Sequence, residues 1–156
     1  MASAEQRLGE LGIELPEPSP SPNYLLTKRH DDIVFLAGHG PSKLDGTGSV
    51  TGKVGREVST EEAREAARLT GLHMLASLRA EVGSLDHVRS LLHVLGMVNC
   101  APGFNDTPAV INGCSELFVD VFGEEVGRHT RAAVGMAELP YDICVEIEMQ
   151  AAVAPD

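Results

Sequence analysis

Two stretches near the end of the chain carry the residue types best suited to chemistry: Arg131 in RAAVGM (131–136), and Glu146 and Glu148 in CVEIEM (144–149). Successive side chains of a strand point to opposite faces. Ile143, Val145, Ile147 and Met149 therefore form one apolar set, and Cys144, Glu146 and Glu148 the other. In the preceding strand Ala132, Val134 and Met136 match the apolar set, so Arg131, Ala133 and Gly135 are expected on the face of Glu146 and Glu148. A planar guanidinium grips a carboxylate through two parallel charge-assisted hydrogen bonds, a fork that lysine does not reproduce. A glutamate beside it can take a proton from water or simply pair with the arginine. Such a face is either solvated surface or the lining of a polar pocket at an interface between copies, and periodicity leaves both open.

The elements that must position these groups follow from caps and periods. Ser59-Thr60-Glu61-Glu62 is a capping box, and Ala63, Ala67, Thr70, Met74, Leu75, Leu78 and Val82 form one helical stripe that runs to Gly83. Thr107-Pro108 reads as a second helix start and Gly123 as its stop, with Val110, Ile111, Cys114, Leu117, Phe118 and Val121 as the buried face. Upstream, Asn23 to Ala37 reads as strand, polar turn at His30-Asp31-Asp32, and strand. Leu91 to Val98 has the length of a buried strand and places His93 as a hydrogen-bonded core histidine. Glu138-Leu139-Pro140-Tyr141 reads as the turn joining the last two strands, Thr130 to Met136 and Asp142 to Ala152. The expected order is β-β-α-β-α-β-β, an α/β (α+β) domain over residues 23–154. Residues 1–22 read as an arm: a short helix within residues 1–12, then LPEPSPSP, whose four prolines forbid regular structure, the whole packed loosely on the surface.

Between the hairpin and the first long helix lies Gly38 to Gly55, with glycines too frequent for helix or central strand. A loop of that length is functional or mobile. It contains no GxxxxGK[ST] and no GxGxxG that opens into a helix, which argues against a phosphate cradle. A net charge of -11 repels polyanions, so nucleic acid is not expected as a partner. No apolar run approaches a membrane span, no secretory leader is legible, and Cys100, Cys114 and Cys144 sit in apolar contexts as reduced thiols. A cytoplasmic location is the expectation, with no membrane partner.

The stretch Arg131-Ala-Ala-Val-Gly-Met-Ala-Glu-Leu-Pro140, followed by Val145-Glu-Ile-Glu148, resembles the C-terminal signature of the RidA (YjgF-type) reactive-intermediate deaminases. Tyr24 before the hairpin, Ala37-Gly38-His39 in place of Ser-Gly-Gln, and Asn112-Gly-Cys-Ser-Glu116 in the second helix fall in register with the same family. The likeness spans roughly residues 20 to 150, and the LGIELP arm and GKVG loop look like a divergent branch. It implies a chorismate-mutase-like fold, a mixed sheet on two helices, assembled as a homotrimer with ligand sites between neighbours. It further implies hydrolysis of a small 2-imino or enamine carboxylate to a 2-oxo acid and ammonia, with no metal or organic cofactor. On that likeness Arg131 binds the carboxylate, Glu146 and Tyr24 are catalytic, and Asn112, Gly38, His39 and Ala133 line the pocket. His39 replaces glutamine at the entrance, and Ala37 and Ala132-Ala133 replace the family's Ser and Ser-Cys. Those losses keep open a second class, a trimer that binds carboxylates without turnover. A ribonuclease, the family's older name, conflicts with the acidic charge.

Overall fold

A computed structural model describes residues 2–155. The elements are α1 (Ala4–Glu10), β1 (Thr27–His30), β2 (Ile33–His39), α2 (Thr60–Val82), β3 (Val88–Asn99), α3 (Thr107–Gly127), β4 (Thr130–Met136) and β5 (Val145–Val153), with single 3-10 turns at Leu85–His87 and Pro140–Asp142. The five strands form one sheet in the order β1-β2-β5-β3-β4. All neighbours are antiparallel except β3 and β4, which α3 joins as a parallel crossover. This is a mixed sheet of the kind the resemblance implies, with α2 and α3 packed on one face.

Local chemistry explains the helices. The Ser59 hydroxyl accepts from the Glu62 amide while the Glu62 carboxylate accepts from the Ser59 amide, closing the capping box at the head of α2. Gly83, at φ 79°, ends that helix. In α3 the N-cap position falls to Asp106 rather than Thr107, and no side chain caps it. The Thr107 hydroxyl instead donates to the Ala133 carbonyl at 3.0 Å and ties the helix start to β4. Gly123, at φ 78°, breaks α3 as expected, but a further turn carries the chain to Gly127. Gly113 lets α3 lie against α2, since a Cβ there would collide with the Arg64 carbonyl oxygen. Between sheet and helices the core holds Met74, Leu75, Leu78, Leu91, Ile111, Leu117, Phe118, Ile147 and Met149.

Several sequence expectations need correction. The first strand begins at Thr27, so Tyr24, Leu25 and Leu26 belong to the arm, with Tyr24 and Leu25 exposed. The arm's helix is not loosely packed: it buries Ala4 and Leu8, has its own capping box on Ser3, and Glu5 accepts from the Leu85 amide. The loop after β2 is pinned rather than free. Lys53 donates to Asn99 Oδ1 at 2.8 Å, and the fully buried Asn99 donates to Asp142 Oδ1 and to the Ile143 carbonyl. His93 is not a core residue. A register shift between Leu91 and His93 turns it to the uncovered face, where it meets Thr130 at 3.0 Å.

The largest correction concerns the last two strands. Residues 137–144 do not close a hairpin. They carry the chain past β3, so β4 is an edge strand and β5 lies between β2 and β3. Arg131 pairs with Val94, which pairs with Met149, and all three face the helices. Glu146 pairs with Met97, which pairs with Val134, on the opposite face. Each strand alternates as its sequence dictates, but β3 stands between β4 and β5, so the faces of those two strands do not match residue for residue across a hairpin.

Candidate functional site

Arg131 reaches from the edge strand toward α3. Its Nη1 donates to Asn112 Oδ1 at 2.8 Å and to Ser115 Oγ at 3.2 Å. Both Nη1 hydrogens are thereby engaged, and among the described residues no hydrogen bond falls on Nε or Nη2. One edge of the guanidinium is held by the protein and the other is left for a planar acceptor such as a carboxylate. Ser115 also lies 3.0 Å from His129 Nε2, and His129 Nδ1 lies 2.7 Å from the Gly127 carbonyl. A carbonyl only accepts, so Nδ1 carries the proton and Nε2 accepts from the Ser115 hydroxyl. Burial, offset in part by the Gly127 bond, and then the charges of Arg131 and His93, hold the His129 pKa below the ordinary histidine value. Phe118 packs edge-on to the His129 ring, centroids 5.9 Å apart. Ser115, Val119, Arg128, His129 and Arg131 line a small cleft of about 180 Å³.

A second cluster lies toward the other side of the sheet. Gly38, near the end of β2, is pressed against Glu146 on β5: a Cβ at Gly38 would stand 2.5 Å from Glu146 Oε1. Partial burial, and then the neighbouring Glu148, raise the Glu146 pKa above the usual carboxylate value. Tyr24, 56% exposed, lines a cleft of about 200 Å³ with Gly38, His39, Gly40, His73 and Ser77. The His39 side chain is not at an entrance. Its ring is buried on the helix side of the sheet, with Nδ1 at 2.6 Å from the Ala37 carbonyl and Nε2 at 2.9 Å from Ser77 Oγ. Desolvation there lowers its pKa, so it sits neutral at physiological pH as the floor of the cleft.

Within one chain, then, the predicted residues fall into two groups. Asn112, Arg131 and Ala133 stand at the β4 edge, and Tyr24, Gly38, His39 and Glu146 stand around β2 and β5. Arg131 and Glu146 are offset by three residues and two strands, about 10 Å along and about 10 Å across the sheet, on opposite faces. No ion pair links them. Ala133 contributes backbone, its carbonyl already accepting from Thr107. Ser115 and His129 were missed by sequence reading. Their available signal was the i, i+3 spacing of Asn112 and Ser115 on α3 and the i, i+2 spacing of His129 and Arg131.

The uncovered sheet face presents Ile33, Phe35, Val134 and Met136 at 36–44% exposure, with Glu146 and Glu148 among them. No helix of the described residues is long and apolar enough to cross a membrane, and no group of three or more His, Cys, Asp or Glu among them has the placement to hold a metal ion. The three cysteines are free.

Comparison with known proteins gives concordant matches. A family model described as "YjgF/chorismate mutase-like, putative endoribonuclease" matches residues 5–151. Protein TCP17 of Trypanosoma cruzi is 38% identical over 142 residues, covering 90% of this chain and 88% of that protein. The crystal structure of Atu1372 from Agrobacterium tumefaciens, a protein of unknown function, superposes with a TM-score of 0.86 at 38% identity, covering 96% of this chain and 93% of that one. A Shewanella oneidensis structure that carries the endoribonuclease description superposes at 0.91 with 26% identity, covering 97% of this chain and 100% of that one.

Proposed function

The chain belongs to the YjgF/chorismate mutase-like family, and from that premise we propose that it hydrolyses a small 2-imino or enamine carboxylate to a 2-oxo acid and ammonia, in clefts between the subunits of a homotrimer. The observation that carries this reading is Arg131, whose Nη1 is engaged by Asn112 and Ser115 while its outer edge stays available for a carboxylate. Bidentate binding fixes the adjacent C2 as well as the charge. Glu146 has the opposite character, a partly buried carboxylate with a raised pKa, suited to take a proton from an attacking water. Tyr24 offers a phenol in the cleft that Gly38 also lines.

These two groups stand apart within one chain, so the reading requires a neighbour to bring Glu146 of one copy to Arg131 of another. The exposed Ile33, Phe35, Val134 and Met136 on the uncovered sheet face support such assembly, because an apolar face of this kind is stabilised by burial. In the reaction, water adds to C2 of the imine and Glu146 takes one of its protons; both water protons pass to the nitrogen by the time the carbinolamine collapses, and the C–N bond breaks to release ammonia and the 2-oxo acid.

The test is ammonia release from freshly generated 2-iminopropanoate or 2-iminobutanoate. Wild type should exceed the spontaneous rate and Arg131→Ala should not. Equal rates for both proteins and buffer would refute the deaminase. A carboxylate-binding trimer without turnover is the second reading, favoured by Ala37 and Ala133, which present no side-chain polar atom where the family has serine and cysteine. Stabilisation by 2-oxobutanoate with no ammonia release would select it. The endoribonuclease description is opposed by the net charge of -11, which weakens encounter with RNA.

A further inference from the structure

We propose that Ser115 and His129 form a proton relay that serves the nitrogen of a ligand held by Arg131. This inference rests on the carboxylate reading of Arg131 and adds an acid to it. The relay is a directed chain of hydrogen bonds. Arg131 Nη1 donates to Ser115 Oγ, Ser115 donates to His129 Nε2, and His129 Nδ1 donates to the Gly127 carbonyl. When His129 takes up a proton, Nε2 becomes the donor, Ser115 Oγ accepts from both neighbours, and its own hydrogen must turn outward into the cleft beside Arg131. A hydroxyl that donates there only when the histidine is charged is a relay by construction.

The same chain contains its own comparison. His39 repeats the geometry almost atom for atom: Nδ1 at 2.6 Å from the carbonyl two residues earlier, and Nε2 at 2.9 Å from Ser77 on α2. That pair lies deeper, on the floor of the other cleft, with Ser77 at 3% and His39 at 7% exposure and no arginine on the serine. It therefore anchors β2 to α2. Ser115 and His129 are only partly buried and line an open cleft, and Ser115 accepts from the cation that selects the ligand. The geometry common to the two pairs is a packing solution, and the features that differ are those that chemistry requires.

The charges around His129 make the relay responsive to the ligand. Arg131 on β4 and Arg128, which pairs with Glu124 at 3.3 Å, line the cleft, and the charges of Arg131 and of His93 on β3 act on His129. An anion on the outer edge of Arg131 offsets that field and favours the charged imidazole. Binding should therefore draw a proton onto His129, loading the relay as the substrate arrives. Both hydrogens that ammonia gains come from the one water consumed. The relay lends a proton to the imine nitrogen and recovers it when the tetrahedral carbinolamine collapses to the carbonyl. Ser115 touches the ligand; His129 acts through Ser115 as a positioning residue.

The test is calorimetry of 2-oxobutanoate binding to the intact protein in two buffers of different ionisation enthalpy, paired with turnover. Wild type should take up roughly 0.2–0.6 proton per site at pH 6.5. His129→Gln should bind without uptake. Ser115→Ala should lower kcat by roughly 100-fold with KM changed far less, and Ser115→Thr should restore most of the loss, since only a hydroxyl is needed. Binding without proton uptake in wild type, or a Ser115→Ala effect confined to KM, would overturn the relay while leaving the carboxylate site standing. Absence of any binding to wild type would overturn both.

Discussion

Replacing Arg131 by lysine keeps the charge and removes the fork, which makes it the sharpest probe of the site. In the native chain Nη1 donates to Asn112 Oδ1 and Ser115 Oγ at 2.8 and 3.2 Å, and the proposed carboxylate fork uses Nε and Nη2. A lysine ammonium drawn to Asn112 and Ser115 has no second planar edge to offer. The ligand thus loses one to two charge-assisted hydrogen bonds, each about 1.5–3 kcal/mol. Partial exposure of the site places the effect at the low end, about 2 kcal/mol, or roughly a 30-fold loss of affinity at 1.4 kcal/mol per tenfold. Titration calorimetry with 2-oxobutanoate measures it directly, and circular dichroism checks that the fold survives. If Arg131→Lys binds as tightly as wild type, the guanidinium is not used as a fork and the site reasoning fails. Weakening in Arg131→Lys with none in Asn112→Ala would separately show that the inner edge needs no anchor.

Three further outcomes follow from named contacts. Gly38→Ala should leave the fold intact, since the Gly38 backbone is not left-handed, yet its Cβ would stand 2.5 Å from Glu146 Oε1 and push the carboxylate aside; ammonia-release assays should show turnover reduced by roughly 10-fold or more. His39 has a folded-state pKa depressed by burial, so it contributes stability above its unfolded pKa that is lost as pH falls through the folded value; thermal melts from pH 7.5 to 5 should decline less steeply for His39→Gln. Asn99→Ala strips the fully buried amide that joins Lys53 to Asp142 and Ile143, and chemical denaturation should show a loss of about 2–4 kcal/mol.

The sequence by itself determined most of the elements and the residue types of the candidate site. The Ser59–Glu62 capping box and Gly83 bounded α2, the prolines of residues 15–22 excluded regular structure, and alternation in β5 assigned Glu146 and Glu148 to one face. These are local properties, decided by dihedral preference, capping and a period of two, and they survive whatever the chain packs against. The family signature likewise singled out Arg131, Asn112, Tyr24, Gly38 and Glu146 as residue types.

Only the tertiary structure decided which of these groups meet. That β3 stands between β4 and β5 is a matter of strand order, and it moved Arg131 to the helix face and Glu146 to the other. Sequential strands usually pair, so a turn with Pro140 looked like a hairpin; a parallel β3-α3-β4 crossover overrode it. The partners of Arg131 on α3, and the direction of the hydrogen bonds from Ser115 through His129 to Gly127, depend on how helix and edge strand approach each other. A spacing in sequence fixes which side chains share a face of one element. Which element that face will touch is set by the balance of burial over the whole chain, and that balance has no local signature.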